Sequence, residues 1–251
     1  MTRRRFIADA WTPTTASLTG DQAVHLARVL RAQPGQIYDI VANGFLHRAE
    51  ITSVSAGSNG EDQKVDFTLH EELESDAALP LHLLLAIFKF DHMEWAIEKA
   101  TELGIARIIP ILARRTEKHL ALAAPKRADR WRRIALEASK QSRRTDIPDI
   151  ADPLPLKQAL AAEKSSTRIL LSETEQAATL SETLQSSNRA ATSEPANRKV
   201  ALAIGPEGGW TPEEMTLFTQ HQWQPVTLGP RILRAETAAI AAIAIASTHL
   251  T

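Results

Sequence analysis

Two glycine-proline turns near the carboxyl terminus constrain the fold more than any other stretch. The first lies in residues 204–214 (IGPEGGWTPEE) and follows the apolar run VALAI. The second lies in residues 228–244 (LGPRILRAETAAIAAIA) and follows a short run ending at Val226. An apolar run that breaks at glycine and proline and then becomes helical is a strand-to-helix junction. In the first junction Thr211, Pro212 and Glu214 stand at N-cap, N1 and N3, a capping box with a preset φ. The glycines before it allow positive φ and let a ligand come close to the backbone. Two such junctions predict one pocket at the carboxyl ends of neighbouring strands.

Upstream, residues 81–88 (LHLLLAIF) form the nearly continuous apolar run of a strand buried on both faces. Residues 91–104 place Met93, Ile97, Ala100 and Leu103 at helical spacing, and Gly104 suits a helix C′ position. RIIPIL at 107–112 is the next strand. Strand, helix, strand over so short a distance is a βαβ unit, so an α/β domain with a parallel sheet is expected. Residues 128–144 predict a helix with Trp131, Ile134, Ala138 and Gln141 inward and Arg130, Arg133, Lys140 and Arg144 outward. Further helices are expected at 156–163 and 174–184, with a strand at 168–171. The polar segment 186–198 is expected to be a surface loop.

The first part of the chain has a different pattern. Ile37, Ile40 and Val41, then Leu46, Ala49 and Ile51, suggest two strands joined at Asn43-Gly44, a strong hairpin signal. Residues 64–69 alternate as another strand. Residues 21–31 predict a helix with Val24, Leu26, Val29 and Leu30 at helical spacing and Arg28 and Arg31 on one face. An acidic linker is expected at 71–80. Two domains follow, 1–75 and 76–251.

The net charge is −1, but its distribution is uneven. Residues 61–76 hold seven acids against Lys64, whereas residues 114–144 hold eleven lysines and arginines against three acids. A helix stripe of arginines is either a solvated face or a phosphate-binding one; Arg3, Arg4, Arg5, Arg28 and Arg31 would extend the second reading. There is no cysteine, which excludes disulfides, thiolate zinc sites and a cysteine nucleophile, and fits a cytoplasmic location. No metal site is expected. The amino terminus lacks the apolar stretch of a signal peptide, and the longest apolar runs are too short to cross a membrane.

Neither glycine-rich nucleotide fingerprint is present, and Glu207 within the first turn would repel phosphate. Arg231 and Arg234 stand at a helix start, where the dipole favours anions, while Glu236 is well placed there. Misplaced arginines point to a task beyond stability.

These residues carry a family resemblance. IGPEGGWTPEE with LGPRILRAETAAIAAI resembles the RsmE family of ribosomal RNA uracil-N3 methyltransferases in the SPOUT superfamily. The likeness extends to His25-Leu26 with Val29-Leu30-Arg31, to residues 98–104 (EKATELG), to Arg130-Trp131, and to residues 137–141 (EASKQ) through Arg144. Lys89 matches a lysine of the family.

The resemblance implies an amino-terminal PUA-like β-barrel and a carboxyl-terminal parallel-sheet domain with a deep trefoil knot. It implies S-adenosylmethionine as cofactor, a uridine of 16S ribosomal RNA in the small subunit as substrate, and a homodimer. By that likeness the cofactor loops hold Leu171 and Ser172; Gly205, Pro206, Glu207, Gly208 and Gly209; and Leu228, Gly229, Ile232 and Leu233. Arg234 is expected to stabilise the uracil anion, and Glu236 or Glu207 to accept its proton. Arg3, Arg4, Arg5, Arg28, Arg31, Lys89, Arg130, Arg133 and Arg144 are the expected RNA contacts. The alternatives are an RNA ribose 2′-O-methyltransferase of the same superfamily, whose last loop usually carries serine-leucine-asparagine where this chain has GPRILRAET, and a non-catalytic RNA-binding module.

Overall fold

A computed structural model describes residues 5–55, 63–74, 78–190 and 199–250. Arg3, Arg4, the expected 75/76 boundary and residues 191–198 lie outside the described residues. Residues 1–77 with Ser139–Asp146 form one compact unit; Ala78–Ala138 with Ile147–Thr251 form the other.

The first unit holds strands β1 (Arg5–Ile7), β2 (Ala10–Trp11), β3 (Thr15–Leu18), β4 (Ile37–Ala42), β5 (Phe45–Ser55) and β6 (Lys64–Leu73), with helix α1 (Gly20–Val24). They form one sheet in the order β1-β4-β5-β6-β3-β2, in which only β1 and β4 run parallel. The two edge strands are separated in the chain by Ala8 and Asp9 alone, so the sheet has to curl until its edges approach. The Ala8 and Asp9 amides donate to Val41 and Ser17 carbonyls at opposite edges. Register shifts along β5 at His47/Ala49 and Ile51/Ser53 supply the bend. Leu18, Leu26, Ile40, Ala49, Ile51, Val65 and Phe67 fill the interior.

The hairpin at Asn43-Gly44 has positive φ at both residues, 52° and 81°. The helix expected at 21–31 is different. After Val24 the chain forms a π-helical segment, His25–Val29, and Arg31 has φ 51°. The wider turn breaks the 3.6-residue register, so Ala23 and Leu26 are buried while Val29 is 66% exposed. Arg28 and Arg31 therefore do not share a helix face. The acidic linker is also shorter than expected. Glu72 and Leu73 pair with His47 and Leu46 of the long, bulged β5, and the next strand begins at Leu79.

In the second unit, β7 (Leu79–Ala86), α2 (Phe90–Glu102) and β8 (Ile105–Leu112) make the βαβ unit. Gly104 ends α2 with φ 92°, and its carbonyl accepts from the Leu79 amide at 2.9 Å. Then come α3 (Lys118–Ala123), α4 (Ala128–Ser142), β9 (Asp149–Ile150), β10 (Leu154–Pro155), α5 (Leu156–Ala162), β11 (Thr167–Leu171), α6 (Leu180–Ala190), β12 (Val200–Ile204), α7 (Pro212–Gln220), β13 (Gln224–Val226) and α8 (Ala235–Leu250). The sheet runs β10-β8-β7-β12-β11-β13, with β9 beside β8, and every pairing is parallel. Every residue of β12 is buried, as a strand covered on both faces requires. Leu83, Leu85, Met93, Ile97, Trp131 and Ile243 belong to one core, and burial of each such side chain contributes about 2 kcal/mol. The buried stripe of α4 runs through Trp131, Ala135 and Ala138, so Ser142 rather than Gln141 is next in register; Gln141 is exposed.

Candidate active site

Because the strands are parallel, their carboxyl ends open together. The segments after β11, β12 and β13 converge there on a cavity of about 1130 Å³. Leu171, Ser172, residues 205–209, Leu228, Gly229, Ile232, Leu233, Arg234 and Lys89 all line it. Glu236 does not.

The segment after β11 was expected to be helical from Thr174. The helix begins only at Leu180 because the Glu175 carboxylate takes the amides of Gln176, Ala177 and Ala178 at 3.0, 2.8 and 3.1 Å. Those amides, led by Ala177 and Ala178, hold the Glu175 carboxyl below the ordinary range. The Thr227 amide donates to Ala178 O at 2.8 Å and the Leu180 amide to Thr227 O at 3.1 Å, which ties this segment to the one after β13.

The turn after β12 is held from several sides. Gly209, with φ 69°, donates its amide to Pro206 O at 2.8 Å. A Cβ at Gly205 would lie 3.1 Å from Trp210 Nε1, so glycine lets the indole close over this strand end without a shift of a few tenths of an ångström. Arg115 Nη1 donates to Gly208 O at 2.5 Å. The capping box forms as the sequence predicts: the Glu214 amide donates to Thr211 Oγ1, and the Thr211 amide to Glu214 Oε2. Glu214 is buried, and its other oxygen accepts the Arg114 amide at 2.8 Å. The α7 start is thereby fastened to the segment after β8.

The turn after β13 is looser. Thr227 Oγ1 accepts the Gly229 amide at 3.1 Å, and Gly229 has φ 116°. Beyond it Arg231 and Arg234 are exposed and Ile232 is 81% exposed, an apolar side chain facing a cavity with nothing packed on it. Arg234 O accepts the Ala238 amide at 2.8 Å, so Arg234 sits at the start of α8.

The expected RNA contacts are divided between the two units. Arg5, Arg28, Arg31 and Arg144 belong to the first. On α4, Arg130 is not an open charge: its Nε and Nη2 donate to the two Glu94 oxygens at 2.6 and 2.7 Å. Those bonds hold the Arg130 guanidinium above its ordinary range. The outward stripe, read from α4 alone, thus acquires an acid from α2. Arg144 lies past the end of α4, with a buried side chain paired to Asp146, because the helix stops at Ser142 and Arg143 takes φ 60°. Arg133 is exposed.

Residues that the motif reading passed over also belong to the cavity. Arg115 is one cation in a long basic run, Trp210 closes over Gly205, and His92 enters from the first turn of α2. His92 Nδ1 lies 3.3 Å from Glu236 Oε1. Only the meeting of α2 with α8 reveals that pair. Among the described residues no cluster of three or more His, Cys, Asp or Glu could hold a metal, and no helix is long and apolar enough to cross a membrane.

The RNA methyltransferase domain family matches residues 75–247. The ribosomal RNA small subunit methyltransferase E of Bacillus subtilis is 32% identical, covering 93% of this chain and 90% of its own. The protein of that name from Synechocystis is 34% identical, covering 92% and 72%. Among solved structures, that of the Neisseria gonorrhoeae ribosomal RNA small subunit methyltransferase E bound to S-adenosyl methionine is 27% identical. It covers 98% of each chain with a TM-score of 0.76. A methyltransferase of Legionella pneumophila with bound SAM is 28% identical, with a TM-score of 0.75 over 98% and 97%. The chain belongs to the ribosomal RNA small subunit methyltransferase E family.

Proposed function

We propose that this protein methylates N3 of a specific uridine in the 16S ribosomal RNA of the small subunit, with S-adenosylmethionine as methyl donor. The observation that carries this reading is the convergence of three strand-end segments on one cavity, in a chain whose relatives are named ribosomal RNA small subunit methyltransferases.

The cavity's chemistry fits the donor. Its volume exceeds the ~300–1,000 Å³ of ordinary small-molecule sites, which leaves room beside a cofactor for a base. Leu171, Leu228, Ile232 and Leu233 offer apolar surface to a purine, and Ser172 lies beside them. Gly205, Gly208, Gly209 and Gly229 carry no side chain of their own to hold a ligand off the backbone, with Pro206 and Glu207 between the first of them. Trp210 Nε1 is a buried donor with no partner among the described residues. Bound here, S-adenosylmethionine supplies a methyl group already activated by its sulfonium.

The residues then have to align an attacking nitrogen and stabilise the anion from which it attacks. Loss of the N3 proton spreads charge onto the uracil O2 and O4. Arg234, exposed at the cavity wall, is placed to compensate it, and a guanidinium at a helix start is explained better by this role than by stability. Lys89 also lines the cavity. In the second unit Arg133, and in the first Arg5, Arg28 and Arg31, would meet RNA phosphate. Arg130 and Arg144 would first have to leave Glu94 and Asp146.

The curled sheet of residues 5–73 supports a PUA-like RNA-binding barrel, with residues 1–75 as that domain and 76–251 as the catalytic one. A knotted path is supported by strand order. The chain lays β12 inside β11 and β13 outside it, then returns to pack α8 on α2 and α6. The small-residue surface of α8 suits a homodimer interface, and the activity places the protein in the cytoplasm.

The test is methylation of small subunits isolated from cells lacking this protein, followed by nuclease digestion and mass spectrometry. N3-methyluridine is expected. A methyl group on ribose would move the protein to the 2′-O class, and calorimetry without S-adenosylmethionine binding would leave only an RNA-binding module.

A further inference from the structure

A buried carboxylate with an unfilled hydrogen-bonding place stands behind the cavity wall. Glu236, in the first turn of α8, has a side chain only 6% exposed, and its Oε2 has no hydrogen-bond partner among the described residues. Burying an ionised carboxylate in this way is unfavourable unless a cation or donor faces it. The group facing it is His92 of α2, at 3.3 Å between Nδ1 and Oε1. The two atoms are at ion-pair range without hydrogen-bond geometry, so the Nδ1 place is also unfilled. His92 itself lines the cavity, with 32% of its side chain exposed. One imidazole thus joins the ligand space to a buried carboxylate. In that arrangement a histidine takes a proton on one nitrogen while the carboxylate orients it and stabilises its cation from the other.

We propose that His92 is the group that accepts the N3 proton of the target uridine, with Glu236 as its positioning residue. The inference rests on the uridine-N3 reading above. In the step, the N3–H bond breaks, its electron pair stays on nitrogen, and the proton passes to His92 Nε2. The nitrogen pair forms the N–CH₃ bond as the carbon–sulfur bond breaks with its electrons on sulfur, and the imidazolium then releases its proton to water. Glu207 also lines the cavity, but it is exposed, whereas His92 is backed by a buried carboxylate.

The charged groups around the imidazole are known. Asp91, on the same helix, has Oδ2 3.8 Å from Nε2, and Glu236 faces Nδ1 from α8. The cavity lining also holds the cations Lys89, at the N-cap of the same helix, Arg115, Arg231 and Arg234, and the acids Glu173, Glu175 and Glu207. The cations favour the uridine anion as the proton leaves it.

The experiment measures methylation of small subunits by wild type, His92→Gln, His92→Ala and Glu236→Gln from about pH 5.5 to 8.5, with S-adenosylmethionine affinity from calorimetry on the same preparations. His92→Gln is expected to lower kcat about 100-fold and to remove the acidic limb of the kcat/KM profile. Its cofactor affinity should stay within about threefold of wild type, a change far smaller than the loss of rate. Added imidazole should restore His92→Ala in proportion to the free base. Glu236→Gln should lower kcat about tenfold and displace the acidic limb, which a merely architectural role would not do. A wild-type acidic limb in His92→Gln, or no rescue of a His92→Ala protein that binds cofactor normally, overturns the proposal. Loss of cofactor binding in both His92 variants would assign the residue to the architecture and overturn it as well. A wild type that forms no N3-methyluridine overturns the functional reading itself, so the two failures are distinguishable.

Discussion

Among the described residues of the parallel-sheet unit, two histidine–glutamate pairs have a buried carboxylate, and they are built for opposite purposes. On the side away from the cavity, His82 Nδ1 and Glu163 Oε2 are 3.0 Å apart in hydrogen-bond geometry. Glu163 Oε1 accepts the Ser165 amide at 2.7 Å. The Glu163 side chain is 4% exposed and both its oxygens are occupied. At the cavity, His92 and Glu236 are 3.3 Å apart, with one carboxylate oxygen unfilled and the imidazole open to ligand. The chemistry is the same, but one pair is complete and the other waits for a partner. A finished pair belongs to stability; an unfinished one beside a cavity belongs to function.

Titration makes the contrast measurable. Burial pushes the Glu163 carboxyl up, but hydrogen bonds from His82 and from Ser165 outweigh it and bring it down to about 2. Since the folded value is depressed, the resulting stability is present above the unfolded value of about 4.3 and disappears as pH falls through about 2.

The largest effect should come at the cavity. Arg234→Ala is expected to reduce methylation by about 100-fold or more while cofactor affinity changes only a few-fold. Near-normal turnover would remove Arg234 from the anion-stabilising role and weaken the division between the two ends. Next, Glu163→Gln should lower stability by about 1–3 kcal/mol at neutral pH in denaturant titrations, with the deficit shrinking toward nothing near pH 2. Its kcat should remain close to wild type while the protein is folded, and a catalytic defect there would break the comparison. Gly205→Val drives side-chain atoms into Trp210 and should cost about 1–3 kcal/mol. Unlike Glu163→Gln, it should also weaken S-adenosylmethionine binding, which calorimetry would read. The smallest change is Ile232→Ser. Exposed as it is, Ile232 should leave the melting temperature unaltered yet weaken cofactor binding by up to about tenfold, and unchanged affinity would mean the residue does not close on the ligand.

Local patterns were legible wherever neighbours in sequence decide the structure. The Thr211 capping box, the Asn43-Gly44 hairpin, the buried β12 strand and the Gly104 helix end all rest on interactions within a few residues, which propensity and φ preferences report directly. The errors came where a distant or atypical bond intervened. Glu175 gathered three amides and delayed α6, the π-helical segment displaced Val29 and Arg31, and a bulged β5 drew Glu72 out of the linker.

For the site the division is similar. Sequence by itself determined the two turns, the glycines that leave backbone within reach, Arg234 at a helix start, and the strand-helix alternation that requires the turns to open on the same side. Tertiary structure alone decided that Glu236 lies behind the cavity wall rather than on it, and that its companion there is His92, far away in the chain. It also decided that Glu94 neutralises Arg130, and that Arg115 and Glu214 fasten one turn while the other stays open. The physical reason is that burial, charge pairing and hydrogen-bond completion depend on which helices meet across the sheet, and a linear pattern carries no record of that meeting.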